Sequence, residues 1–301
     1  MGSTNINVND YIIYFTTTEI DSFKILFDTI QKLKNDSFIT FYKGDGSQEN
    51  PGKIVIKDST NDNTIVFSLV IPQTNLAEYH CAPESYMISV DFKIIHDIIK
   101  NMSDCSKLTF SISKYKEHEL NMIAYTKSRT QEIRASINLL INSHKSLPDL
   151  NIVYISQIII GSERLHSACK SISNFGPFLN IICDKDKLTL SSRDTDTLKS
   201  KFSMILKSAN NQQSKISSDS LKDNVIINFD SDFLKENKIP IIRSTYELTN
   251  IINFDKLKSL VNYIDIRMGA DNEPLCLSYE VPRIGKFVVF ICTMAQKVGS
   301  N

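Results

Sequence analysis

A unit of one short helix followed by three strands recurs along this chain, and this repeat constrains the fold more than any other feature. Apolar residues recur at helical spacing in four segments, at 19–34, 91–102, 161–176 and 253–264. Each segment is followed by three strand-like runs, and the loops between the runs are short and carry turn residues. Short loops join antiparallel strands. The sequence therefore predicts an α+β fold with helices segregated on one face of antiparallel sheets.

The strand-like runs are either apolar throughout or alternate between apolar and polar residues. In the first half they lie at 11–16, 37–42, 53–57, 64–71, 86–90, 107–113, 119–125 and 133–141. In the second half they lie at 152–160, 178–184, 187–192, 200–206, 225–229, 264–268, 275–281 and 286–292. Residues 230–245 contain Lys-Ile-Pro and are expected to form a long connection.

The repeat also predicts where the domains end. A chain of 301 residues suggests two domains at roughly 150 residues each. The two halves of the repeat place these domains at 1–138 and 152–301. The intervening segment, 139–151, contains Pro148 and a polar centre, which are typical of a linker. Its flanking leucines and isoleucines are too apolar for a free tether.

The composition is that of an ordinary globular protein with balanced charge. Basic and acidic residues number 34 each, so the formal net charge is zero. A protein that holds nucleic acid by bulk attraction is usually basic, so any DNA-binding surface here requires charges to be sorted onto separate faces. Six scattered cysteines without a CxxC pair indicate reduced, buried thiols in an intracellular protein. Neither a signal peptide nor a membrane span is expected.

The polar faces of the four predicted helices carry cations. These are Lys24, Lys32, Lys93, Lys100, Arg164, Lys170, Lys256 and Lys258. One interpretation is that each face is solvated and stabilised by local ion pairs. The other is that all four faces meet one shared partner rich in phosphate. Four helices at equivalent positions of a repeat, each with Lys or Arg on its polar side, give the second interpretation as much weight as the first, and both stay open on the residues alone.

Three clusters contain residue types used in metal or nucleophile chemistry, and none of them meets the requirements of such a site. His166 and Cys169 supply two metal ligands where a structural zinc site needs four. His80 and Cys81 are adjacent in a strand and point to opposite faces. The acidic residues around two turns fit local backbone roles; they are Asp184, Asp186, Asp194 and Asp196. No catalytic residue, metal site or cofactor is therefore predicted.

Three long stretches resemble the sliding clamps of the proliferating cell nuclear antigen (PCNA) family. They are LAEYHCAPESYMISVDFKIIHDIIKNMSDCSKLTF (76–110), GSERLHSACKSISNFGPFLNIICDKDKLTLSS (161–192) and PLCLSYEVPRIGKFVVFIC (274–292). The order and spacing of elements agree with that family from about residue 10 to 294. An amino-acid composition rich in Asn, Lys and Ile is typical of a divergent clamp from a large DNA virus.

The resemblance implies a two-domain DNA clamp fold, with 1–138 and 152–301 as the N- and C-terminal clamp domains and 139–151 as the interdomain connector loop. Three copies would form a ring whose twelve helices surround double-stranded DNA. Lys24, Lys100 and Lys170 match basic positions of the family; the other five cations follow from helical geometry. Asp255 lies near an expected basic position and departs from the pattern, as does the neutral net charge.

The resemblance also implies a surface for partner proteins and a surface for self-assembly. The partner-peptide pocket would use Ile65, Leu147, Pro148, Pro274, Phe290 and Cys292, with Cys292-Thr293 where many relatives have Ala-Pro. The connector could instead be a strap packed on the domain junction. Subunits would pair through edge strands at 133–140 and 200–206, carrying Arg134, Ser136, Asn138, Lys201, Ser203 and Ile205. Local loops could instead cover these edges.

The expected function is that of a non-enzymatic DNA polymerase processivity factor, which tethers replication and repair proteins to DNA in the nucleus or at a cytoplasmic viral replication site. Three alternatives stay open on the sequence. The chain could be a monomeric or heterotrimeric clamp-fold processivity or checkpoint protein. It could be a cysteine-dependent enzyme that uses Cys81 or Cys169. It could also be a β-rich scaffold that does not contact DNA.

Overall fold

The computed structural model describes residues 7–47, 50–102, 104–128, 131–141, 147, 152–192, 202–208, 225–236 and 241–294. The first half contains β1 (Tyr11–Thr17), α1 (Ile20–Leu33), β2 (Asp36–Tyr42), β3 (Lys53–Ser59), β4 (Ile65–Pro72), β5 (Glu78–Cys81), β6 (Ser85–Asp91), α2 (Phe92–Lys100), β7 (Cys105–Ser113), β8 (Lys116–Thr126) and β9 (Glu132–Asn138). The second half contains β10 (Ser156–Gly161), α3 (Ser162–Ser173), β11 (Phe178–Asp184), β12 (Lys187–Ser192), β13 (Ser203–Lys207), β14 (Ile226–Phe229), α4 (Ser231–Glu236), β15 (Ile241–Glu247), α5 (Leu248–Ile252), β16 (Tyr263–Met268), β17 (Leu275–Val281) and β18 (Gly285–Ile291).

The chain divides into two compact units, and each contains segments from distant parts of the sequence. Unit 1 comprises 1–58, 67–147 and 281–287. Unit 2 comprises 59–66, 148–280 and 288–301. The expected linker at 139–151 lies mostly outside the described residues, so the domain limits stay a prediction.

Unit 1 packs two helices against an antiparallel sheet of order β5-β1-β7-β8-β9. Its core is aromatic: the rings of Phe15 and Phe110 stack at 4.7 Å, and Phe23 and Phe27 meet edge-on at 5.4 Å. Such ring pairs stabilise a core beyond the area that they bury. Helix α2 begins where the Asp91 side chain accepts hydrogen bonds from two backbone amides of the first turn.

Unit 2 has a sheet of order β13-β12-β11-β15 and a second strand group of order β14-β10-β16-β17. Helix α3 buries Leu165, Cys169 and Ile172 and packs on both α5 and β10. At its start, the Ser162 backbone amide donates to the Asn262 carbonyl at 3.0 Å, and the Ser162 hydroxyl donates to the Val261 carbonyl. The loop before β16 therefore caps α3.

The predicted α+β fold with antiparallel sheets is confirmed, and so are the first three helices. The predicted helix at 253–264 is wrong. The chain forms the short helix α5, then a 3-10 helix at Asp255–Ser259, and enters β16 at Tyr263. Phe254 and Leu257 are buried as expected, but their spacing of three also fits a 3-10 helix. The carbonyls at 261 and 262 are directed at the start of α3 instead of along a helix axis.

The sequence suggested a long connection at 230–245, but the structure has regular elements there. These residues contain α4 and most of β15, whose inward residues are Ile242, Ser244 and Tyr246. The buried serine at the middle position hid the alternation that marks a strand. The short strand β5 was also not predicted, and β10 begins at Ser156, four residues later than expected.

Two broader sequence expectations concern membranes and thiols. Within the described part of the chain, no helix combines the length and apolar character needed to cross a membrane. Five of the six cysteines are buried, and Cys292 is half-buried.

Candidate functional site

The cations of α1 are held by acidic residues of the same helix. Lys24 Nζ lies 3.2 Å from Asp21 Oδ1, and Lys32 Nζ lies 3.1 Å from Asp28 Oδ2. Asp28 is almost fully buried, and its Oδ1 also lies 3.7 Å from His96 Nε2 on α2. Part of this helix face therefore consists of local ion pairs, as the solvated-face interpretation expects.

Helix α2 presents cations of a different kind. Lys93 and Lys100 are exposed, and neither forms an ion pair with a described residue. Asp97 lies between them on the exposed face, where its carboxylate is 3.7 Å from the ring of His96. Both lysine side chains are therefore accessible from solvent.

Helix α3 exposes one comparable cation. Lys170 is exposed near the C-terminal end of the helix and has no ion-pair partner among the described residues. The neighbouring hydroxyls are engaged locally, since Ser167 donates to the Glu163 carboxylate at 3.2 Å and Ser171 donates to the Ser167 carbonyl at 3.0 Å. Arg164 is half-buried at the start of the helix.

The 3-10 helix at Asp255–Ser259 carries the last two predicted cations, Lys256 and Lys258. Lys256 is exposed. Lys258 Nζ lies 3.1 Å from Asp255 Oδ1 and 3.5 Å from Glu163 Oε1. The hydrogen bond to Asp255 raises the pKa of Lys258 above its ordinary value. Asp255 lies near the position where the PCNA resemblance would have placed a basic residue. Its carboxylate instead pairs with Lys258, one of the predicted DNA contacts.

Six of the eight predicted cations therefore fall into two groups. Lys24, Lys32 and Lys258 each face a carboxylate of the same helical segment. The exposed cations without an ion pair to a described residue are Lys93, Lys100 and Lys170. Surface ion pairs contribute only about 0–1 kcal/mol, so a paired lysine can exchange its carboxylate for a phosphate.

His166 and Cys169 are packed into the core of unit 2. His166 is 2% exposed, and neither ring nitrogen has a hydrogen-bond partner among the described residues. Burial lowers the pKa of His166 to about 4 and raises the pKa of Cys169 to about 12. A neutral imidazole beside a protonated, enclosed thiol has neither the nucleophile nor the access that catalysis requires.

The second histidine–cysteine pair is no better suited to covalent catalysis. Burial raises the pKa of Cys81 to about 11, and its thiol lies 3.2 Å from the Pro83 carbonyl. Burial also lowers the pKa of His80. The structure thus argues against the cysteine-dependent enzyme at both candidate thiols.

The acidic turn residues have local roles where the structure describes them. The Asp184 carboxylate accepts hydrogen bonds from the amides of Asp186 and Lys187, both at 2.9 Å. Asp194 and Asp196 lie outside the described residues. In the described part of the chain, no group of three or more His, Cys, Asp and Glu side chains is arranged to hold a metal ion.

Four described residues of the predicted partner pocket belong to unit 2. Ile65 and Pro274 are buried, whereas Phe290 and Cys292 are half-buried. Leu147 is half-buried in unit 1, and Pro148 lies outside the described residues. Of the four described pocket residues in unit 2, only Phe290 and Cys292 are accessible from solvent.

Backbone contacts near Cys292 reveal residues that sequence reasoning missed. The Cys292 amide donates to the Thr64 carbonyl at 2.9 Å, and its thiol lies 3.6 Å from the Asn63 carbonyl. The Thr293 hydroxyl donates to the Asn272 carbonyl at 3.1 Å. Asn63 and Asn272 both have positive φ, at 54° and 69°. Asparagine tolerates this conformation, so the turn sequences NDN and ADN were the available signal.

Both predicted assembly strands lie at sheet edges. Strand β9 ends the five-stranded sheet of unit 1 and exposes Arg134, Ser136 and Asn138. Strand β13 ends the four-stranded sheet of unit 2 and exposes Ser203 and Ile205, the latter to 59%. Lys201 lies outside the described residues. An exposed edge is a template for pairing with another chain.

Comparisons with known proteins agree with this geometry. No family model matches the chain. The chain is 23% identical over 247 residues to a probable DNA polymerase sliding clamp of Acanthamoeba polyphaga mimivirus. That alignment covers 81% of this chain and 47% of the relative, so the chain spans about half the length of the curated relative that it matches.

Two solved structures share the fold. Proliferating Cellular Nuclear Antigen from Entamoeba histolytica superposes with a TM-score of 0.74 at 14% identity, covering 94% of this chain and 99% of that one. PCNA from Thermococcus kodakaraensis gives a TM-score of 0.72 at 14% identity, with coverages of 93% and 99%. At these identities the matches establish the fold.

Proposed function

We infer that this chain, a divergent member of the PCNA-type sliding-clamp family, is a DNA polymerase processivity factor that encircles double-stranded DNA without reading its sequence. The observation that carries this function is a PCNA fold over nearly the whole chain, combined with three exposed lysines on α2 and α3 that form no ion pair with a described residue. The viral sliding clamp that it resembles supports the same role and the origin expected from the composition.

The mechanism that we propose depends on weak phosphate contacts. Contacts to phosphate carry no sequence information, so a lysine that meets one phosphate meets the next equally well. Lys93, Lys100 and Lys170 would supply these contacts, while Lys24, Lys32, Arg164, Lys256 and Lys258 would add contacts wherever their local partners release them. Attraction of this kind is screened by salt and falls off within about 8–10 Å. Enclosure of the duplex, more than affinity, would keep the protein on DNA.

Ring closure in this proposal joins β9 of one chain to β13 of the next, making a homotrimer. Pairing would satisfy the backbone groups that both edges leave open and would cover Ile205. The interface set is Arg134, Ser136, Asn138, Lys201, Ser203 and Ile205. Because β9 and β13 are different surfaces, this contact is head-to-tail, and it avoids open-ended assembly only if its rotation closes the ring at three copies.

Partner proteins would bind through a short peptide, and the residues that we propose for its pocket are Ile65, Leu147, Pro148, Pro274, Phe290 and Cys292. The half-buried Phe290 and Cys292 support this assignment because an apolar peptide side chain needs accessible apolar surface. The partners would be a DNA polymerase and other replication and repair proteins at an intracellular viral replication site. The protein itself would act as a tether and not as an enzyme.

Charge reversal of the exposed helix lysines tests the DNA contact. The triple variant K93E/K100E/K170E should lose most DNA-stimulated synthesis by the cognate polymerase. The introduced carboxylates would repel the DNA phosphates that the lysines attract. The matched control is K43E/K114E/K185E, which reverses three exposed lysines outside the helices, two in the first half and one in the second. Equal processivity of both variants would instead support the scaffold without DNA contact.

A further inference from the structure

A cleft of about 360 Å³ opens in unit 2 on the strands β14, β10 and β16. One face of these strands belongs to the core, where a cross-strand row of isoleucines is buried: Ile227, Ile158 and Ile266. The next row along the strands consists of Asn228, Gln157 and Arg267. Because side chains alternate between faces, this polar row points away from the core. All three of its residues line the cleft.

The guanidinium of Arg267 is held in a fixed orientation. Its Nε and Nη2 lie 3.2 and 3.1 Å from Asp265 Oδ2, and Gln157 Nε2 donates to the same oxygen at 3.1 Å. These bonds use one edge of the guanidinium and leave N–H donors on the other side. The Arg267 side chain remains 42% exposed. An arginine oriented in this way recognises a planar anion with little further loss of freedom.

The walls of the cleft restrict the kind of anion. Ile155 and Phe229 provide apolar surface, and Tyr154 adds an aromatic ring. Arg267 is the one cation among the described residues that line the cleft; it is bonded to the Asp265 carboxylate, and Asp230 of the lining adds a second carboxylate. The Asp230 carboxylate accepts a hydrogen bond from the Phe233 amide at 3.1 Å, so it is fixed at the start of α4. Two carboxylates beside a single cation disfavour a doubly charged phosphate more strongly than a singly charged carboxylate.

We propose that this cleft binds a single carboxylate carried beside an apolar or aromatic group. The free edge of the Arg267 guanidinium would hold the carboxylate through paired N–H bonds. Asn228 would add an amide donor, and Ile155 and Phe229 would contact the neighbouring apolar group. The cleft lies at the small end of the range for ligand sites, which suits one or two amino-acid residues. This inference does not depend on the proposed ring or on DNA.

Binding of small acyl amino acids to the whole isotope-labelled protein tests the proposal. N-acetylphenylalanine offers a terminal carboxylate, N-acetyl-Glu-Phe-amide offers a side-chain carboxylate, and N-acetyl-Gln-Phe-amide is the neutral control. NMR should show saturable shifts of the Gln157 and Asn228 amides with one or both acids and not with the neutral compound. Comparison of the two acids distinguishes a chain terminus from an acidic side chain.

Two arginine variants decide whether Arg267 holds the ligand. R267Q should weaken binding by about tenfold or more, the loss expected for hydrogen bonds to a charged group. R243Q is the matched control, since Arg243 is an exposed arginine of unit 2 that does not line the cleft; it should change affinity by less than about twofold. R267K keeps a cation beside Asp265, so the protein should stay folded. Because lysine cannot form the paired N–H bonds of a guanidinium, the affinity for the ligand should fall several-fold. Equal binding of acid and neutral amide, or unchanged affinity in both R267Q and R267K, would overturn the proposal.

Discussion

At the scale of single residues, His166 is the side chain that couples pH most directly to stability. It is 2% exposed with both ring nitrogens unbonded among the described residues, and burial lowers its pKa to about 4. The charged groups that act on it are Asp255, Lys258 and Glu163. Because the unfolded chain binds this proton near pH 6.5 and the folded chain does not, folding stability falls as the pH drops below 6.5.

The predicted loss at His166 is about 3 kcal/mol between pH 7 and pH 4, from 1.36 kcal/mol for each pKa unit. Urea unfolding followed by circular dichroism should show this decline in the wild type. His166→Phe keeps a ring near Tyr279. In this variant the free energy of unfolding should decline much less between pH 7 and pH 4, the acid limb of the stability curve. His118→Gln, at an exposed histidine, should leave it unchanged. An identical acid limb in the wild type and His166→Phe would contradict this account.

At the scale of elements, local signals determined how much of the structure the sequence could predict. Helices α1, α2 and α3 carry apolar stripes at the helical period, and Asp91 marks one start, so all three were predicted. The segment after Asn253 has the same apolar spacing, but long-range hydrogen bonds from Ser162 direct its carbonyls elsewhere. The ion pair of Lys258 with Glu163 and the cleft around Arg267 likewise join segments far apart in sequence, which no local pattern reveals.

The N-cap of α2 gives a test at this scale. The Asp91 side chain accepts hydrogen bonds from the amides of Lys93 at 2.8 Å and Ile94 at 3.2 Å. Asp91→Ala should therefore lower the free energy of unfolding by about 1 kcal/mol. Asp97→Ala makes the same substitution at an exposed position of the same helix and should cost less than half as much. Urea titrations of both variants measure the difference, and equal costs would show that the cap does not stabilise the helix.

At the scale of the whole molecule, a chain with no net charge can still bind DNA if its charges are sorted. Within each unit the sorting is partial: the lysines of α2 and α3 are exposed without an ion pair to a described residue, whereas carboxylates beside other helix cations mix the two signs on one face. The three exposed lysines of α2 and α3 would give nine in a trimer, enough for a strong dependence of DNA binding on salt. Assembly is therefore the property on which the proposed function depends most, because each copy alone offers few contacts.

The exposed edge of β13 provides the test of assembly. Ile205→Asp places a charge on a strand that the proposed trimer would bury, at a cost that a polar edge cannot offset. The wild-type protein should sediment at about 103 kDa, three times the 34.2 kDa chain, and the variant at about 34 kDa. The control is Ile241→Asp, at an exposed isoleucine on β15, the opposite edge of the same sheet; it should remain trimeric. A wild-type mass of one chain would favour the monomeric clamp-fold alternative, and dissociation by Ile241→Asp alone would move the interface to the other edge.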